Sequence, residues 1–120
     1  MIKSFRDLQV YQEAYKLMII VHNEVKKFPI YERTDLSSQM RRASKSIPAN
    51  IAEGWAKRSH EKEFKLHLDR ALGSANEMEV HAETSRDLGY LKIETSNNLL
   101  KIYQQLCGKI ANLKKNWKTF

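Results

Sequence analysis

The sequence predicts an all-α protein, an up-down-up-down four-helix bundle with a proline-kinked second helix. Three observations carry that expectation. Apolar residues recur at spacings of three and four along four long stretches, the period of one face of a helix. Turn formers are scarce, with 4 Gly and 2 Pro in the whole chain. The links between the stretches are short, which sets neighbouring helices antiparallel. A chain of 120 residues is one domain of common size, here residues 1–120, long enough for a single core.

The first helix is expected over about residues 7–27, with Asp7 favourable near its positive end. Leu8, Tyr11, Tyr15, Met18, His22 and Val25 form one heptad-like stripe, and Val10, Ala14, Leu17 and Val21 a second beside it. Ile19 and Ile20 widen the apolar surface further. A helix apolar over so much of its circumference meets more than one neighbour. It is therefore either central in the bundle or in contact with another subunit. Pro29 ends the pattern. Phe28, Ile30 and Tyr31 in the link are expected to fold back onto the bundle end, and Thr34 or Asp35 to cap the next helix.

The second helix is expected over about residues 35–57. Leu36, Met40, Ala43, Ile47 and Ile51 make its stripe. Pro48 lies inside it, lacking the N–H that would bond the Ser44 carbonyl, at about 3 kcal/mol in a helix interior. A kink near Ser44–Pro48 is the expected response. Ala43, Ser44, Ser46, Ala49, Ala52 and Gly54 are small enough for another backbone to come close. Gln39, Ser46, Asn50 and Glu53 fall on a flank between core and solvent, where half-buried amides need partners. Asn50 and Glu53 are expected to anchor a buried polar network there. Arg41, Arg42 and Lys45 project opposite the core.

The third helix is expected over about residues 60–87, capped by Ser59, with Glu61 and Glu63 in its first turns. Phe64, Leu68, Ala71, Ala75, Met78, Ala82 and Ser85 alternate by four and three, the spacing of near-parallel helix packing. Gly89 suits a left-handed terminus. The fourth helix, about residues 93–117, carries Leu99, Tyr103, Leu106, Ile110, Leu113 and Trp117, with Gly108 weakening it locally.

Composition narrows function. The net charge is +7 and unevenly spread. Residues 35–58 hold five basic and two acidic side chains, residues 59–88 four and seven, and residues 95–120 five and none. That asymmetry points to a polyanionic partner, against the simpler reading in which adjacent helices complement each other. The lone Cys107 excludes an internal disulfide, and nothing resembles a secretory signal, so a cytoplasmic protein is expected. The longest apolar run, residues 17–21, is too short to span a bilayer.

Chemistry is mostly missing. A di-iron bundle needs Glu-x-x-His at i,i+3 on two helices. Glu63…His67 and Glu77…His81 are spaced i,i+4 instead and read as surface pairs. No metal, cofactor or small-molecule substrate is expected. No Gly-rich phosphate loop is present, and no Arg precedes a His by the four to six residues with which some helical bundles cut RNA. Cys107 reads as a core or interface thiol. What remains is a non-enzymatic binding surface. Its candidates are Arg41, Arg42, Lys45, Lys57 and Arg58 on the second helix and Lys109, Lys114, Lys115 and Lys118 on the fourth, with Trp55 and Trp117 as possible stacking planes.

The second helix also carries a resemblance. Gln39-x-Arg41-Arg42-Ala43, then Ser46-Ile47-Pro48-x-Asn50-Ile51-Ala52-Glu53-Gly54, resembles the signature of the four-helix-bundle family named after 23S rRNA intervening sequences, also called S23 ribosomal-protein-like. Phe5, Leu8, Val10, Ala14, Glu63-Phe64, Ala71-x-Gly73-Ser74 and Leu88-Gly89-Tyr90-Leu91 extend it across nearly the whole chain. The resemblance implies a bundle and a ring-forming homo-oligomer, typically a pentamer. It implies little about activity, since the family is named for a gene location. Its nearest functional precedent is the accessory protein of diversity-generating retroelements, a basic pentameric bundle that associates with a reverse transcriptase and nucleic acid. Two readings follow: a homo-oligomer binding RNA or DNA through basic faces, or an interaction module whose partner is another protein.

Overall fold

Four helices make up the fold: α1 Gln9–Val25, α2 Leu36–Ala56, α3 Glu61–Asp87 and α4 Ile93–Asn116. The computed structural model describes residues 1–119; Phe120 lies outside the described residues. The protein measures about 49 × 24 × 21 Å, long in the helix direction.

Each helix starts and stops for local reasons. Before α1, Ser4 caps a 3-10 turn at Phe5–Asp7: its hydroxyl accepts from Arg6 N (3.0 Å), the Asp7 carboxylate accepts from Ser4 N (3.1 Å), and α1 begins at Gln9. A second 3-10 turn, Ile30–Glu32, follows Pro29. Asp35 holds the N-cap position of α2, yet its carboxylate accepts from the Gln39 side chain (3.1 Å) instead of capping a backbone N–H. Ser59 does not cap α3: His60 occupies that position, and the Ser59 hydroxyl meets its ring (3.1 Å). Gly89 has φ of 81°, which only glycine adopts without strain, and closes α3. α2 runs unbroken through Pro48, whose ring is buried.

Packing follows the stripes. Met40, Ile47 and Ile51 of α2, Phe64, Leu68, Ala71, Ala75, Met78 and Ala82 of α3, and Leu99, Tyr103, Leu106 and Ile110 of α4 are buried. α2 packs along α3 and α3 along α4, while α1 leans on α2 and meets α4 more sparsely. Direction is fixed by pairs at known positions. Ser46 meets Ser74 and Asn50 meets His67, so α2 and α3 run antiparallel. Ser96 donates to the Ala82 carbonyl and Lys114 pairs with Asp69, so α3 and α4 do too.

Two expectations about exposed groups are revised. In the α1–α2 link only Phe28 folds inward; Ile30 and Tyr31 are 76% and 70% exposed. The 3-10 turn aims them outward because Glu32 is the residue it buries. The Glu32 carboxylate accepts from the Tyr90 hydroxyl (2.8 Å) and, more weakly, from Leu36 N (3.4 Å). In α1 the Val10–Ala14–Leu17–Val21 stripe is the buried one. Tyr15, Ile19 and Ile20 are left nearly half exposed. Among the described residues, no helix is long and apolar enough to cross a membrane.

Candidate nucleic-acid interface

Of the signature residues of α2, Ser46, Asn50 and Gly54 meet α3. A Cβ on Gly54 would lie 2.9 Å from the His67 Cβ and 3.0 Å from a Phe64 ring carbon, so the helices close to a distance that only glycine permits. Beside that contact runs a chain of hydrogen bonds. The Lys57 ammonium, which can only donate, reaches His67 Nε2 (3.2 Å). Nε2 must therefore be bare, and the ring proton sits on Nδ1, donating to Asn50 Oδ1 (3.2 Å). The Asn50 amide donates to the Ser46 carbonyl (2.9 Å) and hydroxyl (3.1 Å), and Ser74 donates to the same hydroxyl (2.9 Å). Burial, then the nearby Lys57 and Arg70, hold the His67 imidazole below its ordinary pKa, with Glu53 and Glu63 opposing.

Three sequence expectations change here. His67 is buried and belongs to the α2–α3 seam, so it is not half of a surface pair with Glu63. Three residues after Phe64 and four before Ala71, it falls beside the buried stripe of α3, but that spacing carries no trace of the partners that α2 supplies to its ring. Glu53 is not a buried anchor: its side chain is 65% exposed and stands 3.7 Å from His67, at the rim. Gln39 stays outside the network, bonded to Asp35. The other pair, Glu77 with His81, does form at 2.9 Å, with the histidine buried and the glutamate exposed. Among the described residues, no group of three His, Cys, Asp or Glu side chains converges as metal ligands would.

The nine cations named from sequence have different fates. On α4, Lys109 is paired with Glu13 of α1 (2.6 Å) and Lys114 with Asp69 of α3 (2.7 Å). Lys118 acts on Glu61, whose pKa is lowered chiefly by the Thr119 N–H. Lys115 is exposed at the end of α4. At the bundle end, Arg58 lies 4.4 Å over the Trp55 ring and donates to the Trp55 carbonyl (3.0 Å), and Lys57 is engaged with His67. Trp55 and Trp117 are not stacking planes: their rings meet edge to face at 5.7 Å, and both pack on Phe64.

On α2 the picture differs. Arg42 and Lys45 are exposed, and Arg41 is half-buried, donating to the Arg33 carbonyl (3.1 Å). Among the described residues, none of Arg41, Arg42, Lys45, Lys26 or Arg33 stands within ion-pair distance of a carboxylate. The convergence registers on His22, whose pKa is lowered by burial and then by Lys45, Arg41 and Lys26 in that order. Lys26 and Arg33 were missed in the sequence because they lie off the helical pattern of α2. No helical spacing marks them, because Lys26 lies just past the end of α1 and Arg33 lies in the link before α2.

A family model described as 23S rRNA-intervening sequence protein matches residues 6–112. The chain belongs to that family. The match spans α1, α2, α3 and most of α4, so it includes the seam and the cationic face of α2. It stops short of Lys114, Lys115 and Lys118. No curated protein matches the chain.

Proposed function

We propose that this member of the 23S rRNA-intervening sequence protein family is a non-enzymatic, homo-oligomeric bundle that binds nucleic acid, RNA in the first instance, through the outer face of α2. One observation carries the reading: Arg41, Arg42 and Lys45, joined by Lys26 and Arg33, form a cluster of like charge with no carboxylate within ion-pair distance among the described residues. Like charges brought together cost free energy, and a phosphate backbone offsets that cost by sequence-independent contacts with counterion release. Repeating the face around an oligomer would multiply weak contacts by avidity.

Fluorescence anisotropy against labelled RNA at several salt concentrations tests this. Each neutralised phosphate contributes a log–log slope of roughly −0.7 on single strands and −0.9 on B-form DNA. The triple change Arg41→Ala, Arg42→Ala, Lys45→Ala should weaken binding and flatten the slope while leaving the helical fold intact. Equal affinity and slope in parent and variant would remove this face from consideration.

The exposed strip Tyr15, Ile19 and Ile20 on α1 supports self-association, which the family resemblance puts at a pentamer. Light scattering giving a 14.1 kDa monomer at micromolar concentration would reject it. The same strip favours the second reading, an interaction module for another protein without nucleic-acid contact; that reading gains if the oligomer forms and RNA does not bind. A cytoplasmic setting accords with both.

A further inference from the structure

The cationic face of α2 does not end at the helix. Arg41 lines the recess that runs along α2 with Ser38, Arg42, Lys45 and Ser46. It also lines a second recess at the corner between α1 and α2. The corner recess has a volume of about 370 Å³, within the roughly 300–1,000 Å³ of small-molecule sites. Its wall is divided: Lys26, Arg33 and Arg41 supply charge, and Phe28, Pro29 and Ile30 supply an apolar side. The recess along α2 is lined by Ser38, Arg41, Arg42, Lys45, Ser46 and Ala49, with no aromatic or large apolar side chain among them.

The corner is tied by hydrogen bonds. Arg33 N donates to the Ile30 carbonyl (3.0 Å) and Asp35 N to the Glu32 carbonyl (3.0 Å), closing the turn. Tyr90 pins it from the α3–α4 link through Glu32. One Arg41 N–H is used on the Arg33 carbonyl, which sets the guanidinium across the corner and leaves its other donors free. The carboxylates nearby are already engaged: Glu32 with Tyr90 and Leu36 N, Asp35 with Gln39, Glu24 with Lys27. Glu32 and Asp35 keep their charge, because their donors are neutral, but among the described residues no carboxylate stands within ion-pair distance of Lys26, Arg33 or Arg41.

A bare anion needs no apolar wall, and a duplex keeps its bases inside and offers a protein only backbone and groove edges. An unpaired nucleotide has both a phosphate and a free base face. We infer that the α1–α2 corner seats one unpaired nucleotide, its phosphate on Lys26, Arg33 and Arg41 and its base against Phe28, Pro29 and Ile30, with the strand continuing along Arg42 and Lys45. This rests on the nucleic-acid reading above and narrows it to single strands.

Titrating the full chain with adenosine 5′-monophosphate, inorganic phosphate and adenosine separately, followed by amide NMR shifts, tests the seat directly. The monophosphate should perturb corner amides around residues 25–41 at lower concentration than either fragment. Anisotropy with one mixed-sequence RNA, as single strand and as duplex, tests the consequence. The single strand should bind the parent about tenfold more tightly. Ile30→Ser, at an exposed position that does not endanger the fold, should erase most of that preference and leave duplex affinity unchanged, whereas Arg33→Ala should weaken the monophosphate most. Equal shifts from monophosphate and phosphate, or a single-strand preference that survives Ile30→Ser, would overturn the inference. If the strands bind equally and respond only to Arg42 and Lys45, the corner fails while the basic-face reading stands. If the monophosphate seats at the corner but no RNA binds, the seat stands and the basic-face reading fails.

Discussion

α2 and α4 look alike in the sequence: each has an apolar stripe and a basic exterior. They solve packing in opposite ways. α2 packs by closeness, using Gly54, Ala43 and Ser46 to bring α3 near and threading a polar chain through the seam. α4 packs by bulk, with Leu99, Tyr103, Leu106 and Ile110 filling the interior. Their cations diverge as well. Lys109 and Lys114 of α4 tie it to α1 and α3, whereas Arg42 and Lys45 of α2 have no acidic partner among the described residues. Positive charge in a sequence is thus a poor guide to a binding face until the neighbouring helix has been placed.

Glycine gives the largest expected contrast. Gly54→Val places carbon where Phe64 and His67 already stand and should destabilise by about 3 kcal/mol. A Cβ on Gly108 of α4 would have nothing within 4 Å of it, so Gly108→Ala should stabilise by about 1 kcal/mol through helix propensity. Urea melts of both variants decide it, and similar values would mean the α2–α3 seam is no tighter than the exterior of α4.

The polar chain comes next. Asn50→Ala leaves the His67 ring N–H without its acceptor and should cost about 2 kcal/mol, whereas Glu53→Ala, at the rim, should stay within about 0.5 kcal/mol. Equal losses would restore Glu53 to the seam. The same chain makes stability depend on pH. The folded-state pKa of His67 is depressed below 6.5, so the unfolded chain binds the extra proton first. That contribution is fully present above about pH 6.5 and is lost as pH falls through the folded pKa. His22 acts in the same direction. Melts from neutral pH into the acid range should show the decline, and Asn50→Asp, which sets a carboxylate at the ring, should make it shallower.

The cations separate the helices functionally. Removing Arg41, Arg42 and Lys45 should lower RNA affinity about tenfold or more, while Lys109→Ala with Lys114→Ala should change it little. A larger loss from the α4 pair would move the interface there. The smallest effect is on stability: breaking Lys114–Asp69 should cost about 0.5 kcal/mol or less, because the pair is partly exposed and screened. Thermal melts at low and high salt measure it.

The sequence by itself determined the four helices and the buried stripes of α2 and α3. Met40, Ala43, Ile47 and Ile51 on α2, and the full run from Phe64 to Ser85 on α3, lie inside because the 3.6-residue period is a local property of the chain. The small-residue face of α2 and the left-handed Gly89 were legible for the same reason. Only the tertiary structure decided which polar groups meet. His67 is buried because α2 supplies Asn50 and Lys57 to its two nitrogens. Lys109 is neutralised because α1 sets Glu13 beside it. Arg33 joins Arg41 because the link folds back by two short turns. Each of these partnerships joins residues on different elements, and their register is fixed by how whole helices pack, which no period within one helix encodes.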